Sequence, residues 1–107
     1  MDTATRKRLR QIAHHLHPIV IVGEAGVSAA VITETDRALN DHELIKVKVA
    51  AEDREDRKTL GDALADACRA ELIQRIGKVL VLYRRNPEPR ADLSNVQRAG
   101  GLRTPRG

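Results

Sequence analysis

Residues 44–50 read Leu-Ile-Lys-Val-Lys-Val-Ala, so that apolar and basic side chains alternate along this stretch. Successive side chains of a strand point to opposite faces of a sheet, and the alternation therefore predicts a strand. Ile45, Val47 and Val49 should face the core. Lys46 and Lys48 should lie about 7 Å apart on the opposite, exposed face.

The segments on both sides of this strand have the apolar spacing of helices. Ser28 and Asp53 are residue types that cap helix N-termini. They predict helices over about 28–41 and 54–70, one before the strand and one after it. Both helices can bury an apolar stripe against the sheet that contains the strand.

Further out, the sequence predicts three more strands and one more helix. A helix over 3–16 ends at His17-Pro18, because the residue before proline avoids helical geometry. The continuous apolar run 19–22 predicts a strand that is covered on both faces. Toward the C-terminus, Gly77-Lys78 separates two strands of a hairpin, over 72–76 and 79–83.

The predicted order is therefore helix, strand, helix, strand, helix, strand, strand. Helices that connect successive strands favour parallel pairing, whereas the final hairpin is antiparallel. We expect an α/β two-layer sandwich with a mixed four-stranded sheet.

The composition bounds the function. The chain has 107 residues, enough for one domain, and its single cysteine, Cys68, excludes an internal disulfide. No apolar segment has the length of a signal peptide or of a membrane span, so we expect a cytoplasmic protein that does not enter membranes. We also expect a monomer. With one Tyr and no Phe or Trp, the sheet cannot be an aromatic RNA-binding platform, and binding would depend on phosphate contacts and shape.

The charge is unevenly distributed along the chain. Its net value is +4, and residues 84–107 carry all of this excess. From residue 86 the apolar periodicity is lost, and Pro, Gly, Arg and Asn dominate. We therefore expect a domain over 1–85 and a disordered basic tail over 86–107.

The candidate RNA-binding residues are basic side chains and glycine turns that precede, follow or lie within the predicted strands. Gly23-Glu24-Ala25-Gly26 is a GxxG turn before a helix, where free backbone N–H groups can meet a phosphate. A plain strand-to-helix turn is the alternative, and Glu24 would repel a phosphate unless it points away. The candidate set is Arg10, His14, Gly23, Gly26, Lys46, Lys48, Gly77, Lys78 and Arg84.

Two other classes of function have weaker support in the sequence. His14 and His17 are three residues apart and could share a helix face as metal ligands, but no third ligand is evident. No Ser/His/Asp or Cys/His set emerges, so we expect no catalytic residues, no metal and no cofactor. A protein-interaction adaptor is the alternative to RNA binding.

Four blocks of the sequence together resemble the CRM domain (chloroplast RNA splicing and ribosome maturation), in its bacterial YhbY-like form. The resemblance runs from about Leu9 to Arg84. The blocks are Leu9-Arg10 with Ala13-His14 and Pro18, Gly23-Glu24-Ala25-Gly26-Val27-Ser28, His42-Glu43-Leu44-Ile45-Lys46-Val47-Lys48, and Ile76-Gly77-Lys78 with Leu80-Val81-Leu82-Tyr83-Arg84.

The resemblance implies a fold like the C-terminal domain of bacterial translation initiation factor three. It also implies non-catalytic binding of RNA, with precursors of the large ribosomal subunit as the target and the GxxG loop acting as in KH domains. This chain departs from the family at two points. Glu24-Ala25 stands inside the loop where plant members often carry basic residues, and His17 stands where a lysine is common.

Overall fold

The computed structural model describes residues 1–102, and within them the chain forms four helices and four strands. The first seven elements follow the predicted order. Asp2, Ser28 and Asp53 cap the three long helices, each accepting a hydrogen bond from a backbone N–H of the first turn. The elements are α1 (Thr3–Ala13), β1 (Pro18–Val22), α2 (Ala29–His42), β2 (Leu44–Val49), α3 (Arg54–Ala67), β3 (Glu71–Ile76), β4 (Val79–Tyr83) and α4 (Asn95–Arg98).

The four strands form one mixed sheet in the order β1-β2-β4-β3. β1 pairs with β2 in parallel, and β4 pairs antiparallel with both β2 and β3. Lys48 lies opposite Ile21 on β1 and opposite Val79 on β4, while Lys46 lies opposite Val81. The predicted α/β class with a mixed four-stranded sheet is therefore confirmed.

The two faces of the sheet are covered to different extents. α2 and α3 cover one face, over a core that includes Val47, Leu39 and Leu64. On the other face, α1 and α4 cover only the half where β2 begins and β4 ends, through contacts with Leu44 and Tyr83. The remaining half of this second face has no helix over it among the described residues.

The end of the chain differs from the sequence-based prediction of a disordered tail. Residues 86–102 turn back over the domain, and Ser94 and Val96 are buried. The physical reason is the buried carboxylate of Glu43, which accepts hydrogen bonds from Ser94 Oγ (2.7 Å) and from the backbone N–H of Asn86 (2.9 Å). The part of the predicted tail over 103–107 lies outside the described residues.

None of the helices in the described part of the chain has the length and apolar character needed to span a bilayer.

Candidate nucleic-acid interface

The uncovered half of the second sheet face carries the candidate residues Lys46 and Lys48, and two more, Arg10 and His14, lie beside it on α1 and at its end. One row of side chains crosses all four strands, from Ile21 through Lys48 and Val79 to Ile76. A second row, nearer α1, contains Lys46. We call this surface the open sheet face and define it by Ile19, Ile21, Lys46, Lys48, Gln74, Ile76 and Val79.

A groove of about 390 Å³ separates the open sheet face from α1. Residues 7, 10, 11 and 14 recur at helical spacing and point into it. The groove is therefore basic along its helix wall and on its floor. Its lining residues are Lys7, Arg10, Gln11, His14, Lys46, Gln74 and Ile76.

No carboxylate in the described part of the chain pairs with the lysines and the arginine of this surface and its groove. Within residues 1–102, no carboxylate oxygen lies within 4.0 Å of the charged nitrogens of Lys7, Arg10, Lys46 or Lys48. His14 follows the last turn of α1, and its exposed ring packs edge-on against His15 with centroids 5.4 Å apart. An unpaired, solvated cation keeps its full attraction for a phosphate, because no nearby carboxylate cancels it.

The GxxG turn lies at the end of the sheet where β1 and β2 finish. Gly26 has a φ of 68°, and its N–H donates to the carbonyl of Gly23 at 3.0 Å. The turn leans toward α3 over a pocket of about 330 Å³, and both Glu24 and Asp56 line that pocket. Two carboxylates beside the turn oppose the approach of a phosphate, which is the effect anticipated for Glu24.

Gly77 and Lys78 form the hairpin tip at this same end of the sheet. Gly77 has a φ of 55°, a conformation that favours glycine. The Lys78 ammonium lies 2.7 Å from Glu52 Oε1, and this hydrogen bond and the attraction of the Lys78 charge lower the pKa of Glu52 below its ordinary value. Lys78 is thus near the open sheet face, but its charge already has a protein partner.

Arg84 lies apart from the other candidates, at the opposite end of the sheet and against α2. Its guanidinium donates to Asp36 Oδ1 (2.6 Å), to Asn40 Oδ1 (2.9 Å) and to the carbonyl of Cys68 (2.8 Å). It also donates to the backbone carbonyl of Asp36. These bonds brace β4 against α2 and the end of α3, so the structure does not bring Arg84 together with the lysines.

The basic residues of α1 have two kinds of role: some bond to the rest of the domain, and others are free to face the groove. Arg6 donates to the carbonyls of Leu72 and Ile73, and Arg8 donates to the carbonyl of Ala99. Lys7 faces the groove, although the sequence reasoning did not select it. Its spacing of three residues from Arg10 on one helix face was the signal that could have found it.

The exposed isoleucines were also missed, because one sequence-based prediction was wrong. The apolar run 19–22 predicted a strand covered on both faces, but β1 is an edge strand covered on one face only. Val20 and Val22 enter the core, whereas Ile19 and Ile21 are 47% and 62% exposed. A short apolar run shows that its residues are hydrophobic, but it does not show whether one face or both faces of the strand are covered.

Neither a metal site nor a reactive thiol emerges from the described residues. Within 1–102 no three His, Cys, Asp or Glu side chains are grouped so that they could hold a metal ion. Cys68 is buried beneath α2, and loss of solvent raises the pKa of its thiol above the ordinary value. A buried thiol with a raised pKa is a core residue and a poor nucleophile.

Comparisons with known proteins cover most of the chain. The family model described as the CRS1 / YhbY (CRM) domain matches residues 1–84. A Pseudomonas aeruginosa protein named "Probable RNA-binding protein" is 48% identical over 97 residues, which cover 91% of this chain and 93% of that relative. A Haemophilus influenzae protein named "RNA-binding protein" is 42% identical over 93 residues, covering 87% of this chain and 94% of the relative.

A solved structure extends the likeness to three dimensions. The solution structure of a hypothetical protein from Staphylococcus aureus matches this chain with a TM-score of 0.72 at 38% sequence identity. The match covers 82% of this chain and 93% of the staphylococcal chain. It supports the α/β fold independently of the family model.

Proposed function

This chain belongs to the CRS1 / YhbY (CRM) domain family, and from that premise we propose that it is a non-catalytic protein that binds RNA on the open sheet face. Two relatives that align over most of their length carry RNA-binding in their names. The proposed contacts come from α1 and from the strand β2 that the alternating sequence predicts.

One observation carries this proposal: three cations that have no carboxylate partner among residues 1–102 line one groove, and a fourth lies on the open sheet face beside it. Lys7 and Arg10 form the helix wall of the groove and Lys46 lies on its floor, while Lys48 is the neighbouring cation on β2. RNA binding draws much of its free energy from phosphate contacts that release condensed counterions. Cations already paired within the protein contribute less, because binding would first have to break those pairs.

The remaining candidate residues differ in how much we expect them to contribute to RNA binding. His14 closes the groove at the end of α1 and can contact a sugar or a phosphate. Gly77 and Lys78 form the rim, with the Lys78 contribution reduced by Glu52. Gly23 and Gly26 lie beside the carboxylates of Glu24 and Asp56, so we propose that their turn shapes the surface without holding a phosphate.

We propose further that the RNA is ribosomal, a precursor of the large subunit, and that the protein acts as a cytoplasmic monomer during ribosome assembly. This finer assignment rests on the resemblance of the sequence blocks to the bacterial members of the family. The alternative, an adaptor that docks on assembly particles through protein contacts, would use the same exposed surface without needing unpaired cations.

The test of the surface compares two double variants that remove the same charge. Lys46→Gln/Lys48→Gln removes two lysines of the proposed surface, whereas Lys58→Gln/Arg90→Gln removes two cations outside it that are paired with Asp62 and Asp41. Each lost phosphate contact should lower the slope of log K against log salt by about 0.7–0.9. The first variant should therefore lose about 1.4–1.8 units of slope and bind about 25- to 60-fold more weakly at about 0.1 M salt.

Fluorescence anisotropy with a labelled fragment of large-subunit ribosomal RNA measures both quantities. The control variant should retain nearly the wild-type slope. Equal losses in the two variants would mean that binding follows net charge alone and that the open sheet face has no special role.

The identity of the RNA needs a measurement in cells. Crosslinking followed by sequencing should enrich large-subunit ribosomal RNA over messenger RNA. An even spread over all transcripts would contradict the ribosomal assignment and leave general RNA binding. Association with ribosomal particles that survives nuclease treatment and moderate salt would favour the adaptor.

A further inference from the structure

The open sheet face is apolar as well as basic, and phosphate contacts do not explain the apolar part. Apart from the N-terminal Met1, the exposed large hydrophobic side chains of the described residues are Ile19, Ile21 and Ile76. All three lie on this one face. Scattered exposed apolar residues need no explanation, but a cluster on one surface indicates a binding site.

The isoleucines and lysines form one continuous surface. Ile21 lies directly beside Lys48 across the β1–β2 pairing, and Val79 lies beside Lys48 on the other side. Ile76 lies beside Val79 on β3. With neighbouring strands about 4.8 Å apart, the row spans about 14 Å, and Lys48 lies within it between Ile21 and Val79.

From this arrangement we infer that the open sheet face takes an unpaired stretch of RNA, with bases and riboses against the isoleucines and phosphates at the lysines. The inference rests on the proposed function and names its substrate class. A paired RNA helix presents its phosphates and hydroxyls outward and keeps its bases stacked inside. Such a helix would set polar groups against three isoleucines, whereas an unpaired segment can turn its bases toward them.

The absence of aromatic residues from the open sheet face makes the isoleucines more important. The single tyrosine of the chain, Tyr83, is buried under α1 and cannot stack on a base. Aliphatic side chains can still cover the face of a base, without the directional preference that aromatic stacking brings. Binding of this kind should discriminate weakly between sequences.

Charge argues against a second copy of the chain as the occupant. A two-fold contact between two open sheet faces would bring Lys46 and Lys48 toward their counterparts, together with the cations of α1. The like charges would oppose burial of the isoleucines, and no described carboxylate on this face relieves them. A polyanion removes this repulsion.

The experiment uses the full chain and two labelled probes: an unstructured 12-nucleotide RNA and the duplex that it forms with its complement. Ile21→Thr/Ile76→Thr is compared with Ile21→Val/Ile76→Val. Both variants keep β-branched side chains of equal size, so strand propensity and shape are matched. The first variant replaces an apolar methyl group by a hydroxyl at each position.

The threonine variant should bind the single strand roughly five- to fifteen-fold more weakly than the valine variant, from the loss of two apolar contacts. Its duplex binding should stay within about twofold, and its salt slope should not change, because no charge is removed. Thermal unfolding of both variants, followed by circular dichroism, shows that they remain folded.

Three results would overturn the inference, and they separate it from the proposed function. If the threonine variant binds both probes as the valine variant does while Lys46→Gln/Lys48→Gln still loses slope, RNA binding stands and the isoleucines have no role in it. If the wild-type protein binds neither probe, the inference fails, and the proposed function fails with it only if the fragment of large-subunit ribosomal RNA is not bound either. If sedimentation shows a dimer that the threonine variant abolishes with RNA affinity intact, the surface serves self-association.

Discussion

Replacing Val96 by alanine tests whether the end of the chain belongs to the folded domain. Val96 is 2% exposed and packs with Leu9, Ile12 and Tyr83 in the core between α1, α4 and the sheet. The substitution removes two buried carbons, about 1.6 kcal/mol of transfer free energy, and the cavity adds a further term. We expect the free energy of unfolding to fall by about 2 kcal/mol and the Tm by roughly 10 °C.

Urea unfolding followed by far-ultraviolet circular dichroism suits this protein, since it has no tryptophan to report by fluorescence. Gln97→Ala is the matched control, because Gln97 lies in the same short helix and is exposed. The control should change the stability by less than about 0.5 kcal/mol. If Val96→Ala changes the stability no more than Gln97→Ala does, residues 86–102 do not dock and the disordered tail predicted from composition is correct.

Two further substitutions separate stability from RNA binding and test an ion pair. Arg84→Ala should lower the free energy of unfolding by about 2 kcal/mol, because it deletes charge-assisted hydrogen bonds to α2. The salt slope of RNA binding should stay at the wild-type value. A fall in that slope would show that Arg84 contacts RNA after all. The hydrogen bond from Arg75 lowers the pKa of Asp62 below its ordinary value of 3.8, so this ion pair stabilises the fold above that pH and the effect is lost as the pH falls through the lowered pKa. The Tm difference between wild type and Asp62→Asn should therefore be present at neutral pH and disappear in acid, and a constant difference across that range would show that the pair has no such effect.

Patterns within ten or fifteen residues were enough to predict most of the fold. The alternation in 44–50 predicted β2, its buried residues and the shared face of Lys46 and Lys48. Ser28 and Asp53 marked the starts of α2 and α3. Each of these signals depends on the periodicity of one element or on one capping hydrogen bond, and both are local properties of the chain.

The features that the sequence did not predict depend on contacts between distant residues. Arg84 bonds to Asn40, which lies 44 positions earlier, and Ser94 bonds to Glu43, which lies 51 positions earlier. The periodicity of a single helix or strand gives no information about partners so far away in the sequence. The exposure of Ile21 also depends on distant parts of the chain, because β1 lies at the edge of the sheet and α1 does not extend over it.

The structure also changes what the basic residues mean for function. From sequence, Lys46, Lys78 and Arg84 are equivalent candidates, since each is a cation in or beside a strand. In the folded chain Lys78 is paired with Glu52 and Arg84 is bonded to α2, whereas Lys46 has no carboxylate partner among residues 1–102. A cation attracts a phosphate with its full charge only when no carboxylate of the protein is already paired with it.

The same reasoning applies to the glycine turn. Gly26 has a φ of 68°, in the left-handed region that other residues adopt only with strain, so the backbone itself favours glycine there. The second glycine of the GxxG pattern is therefore explained by the turn from β1 into α2 before any RNA is considered. Glu24 and Asp56 lie beside the turn and oppose the approach of a phosphate. The phosphate contacts proposed for this chain therefore come from the cations of α1 and β2, on the opposite side of the sheet from α2 and α3.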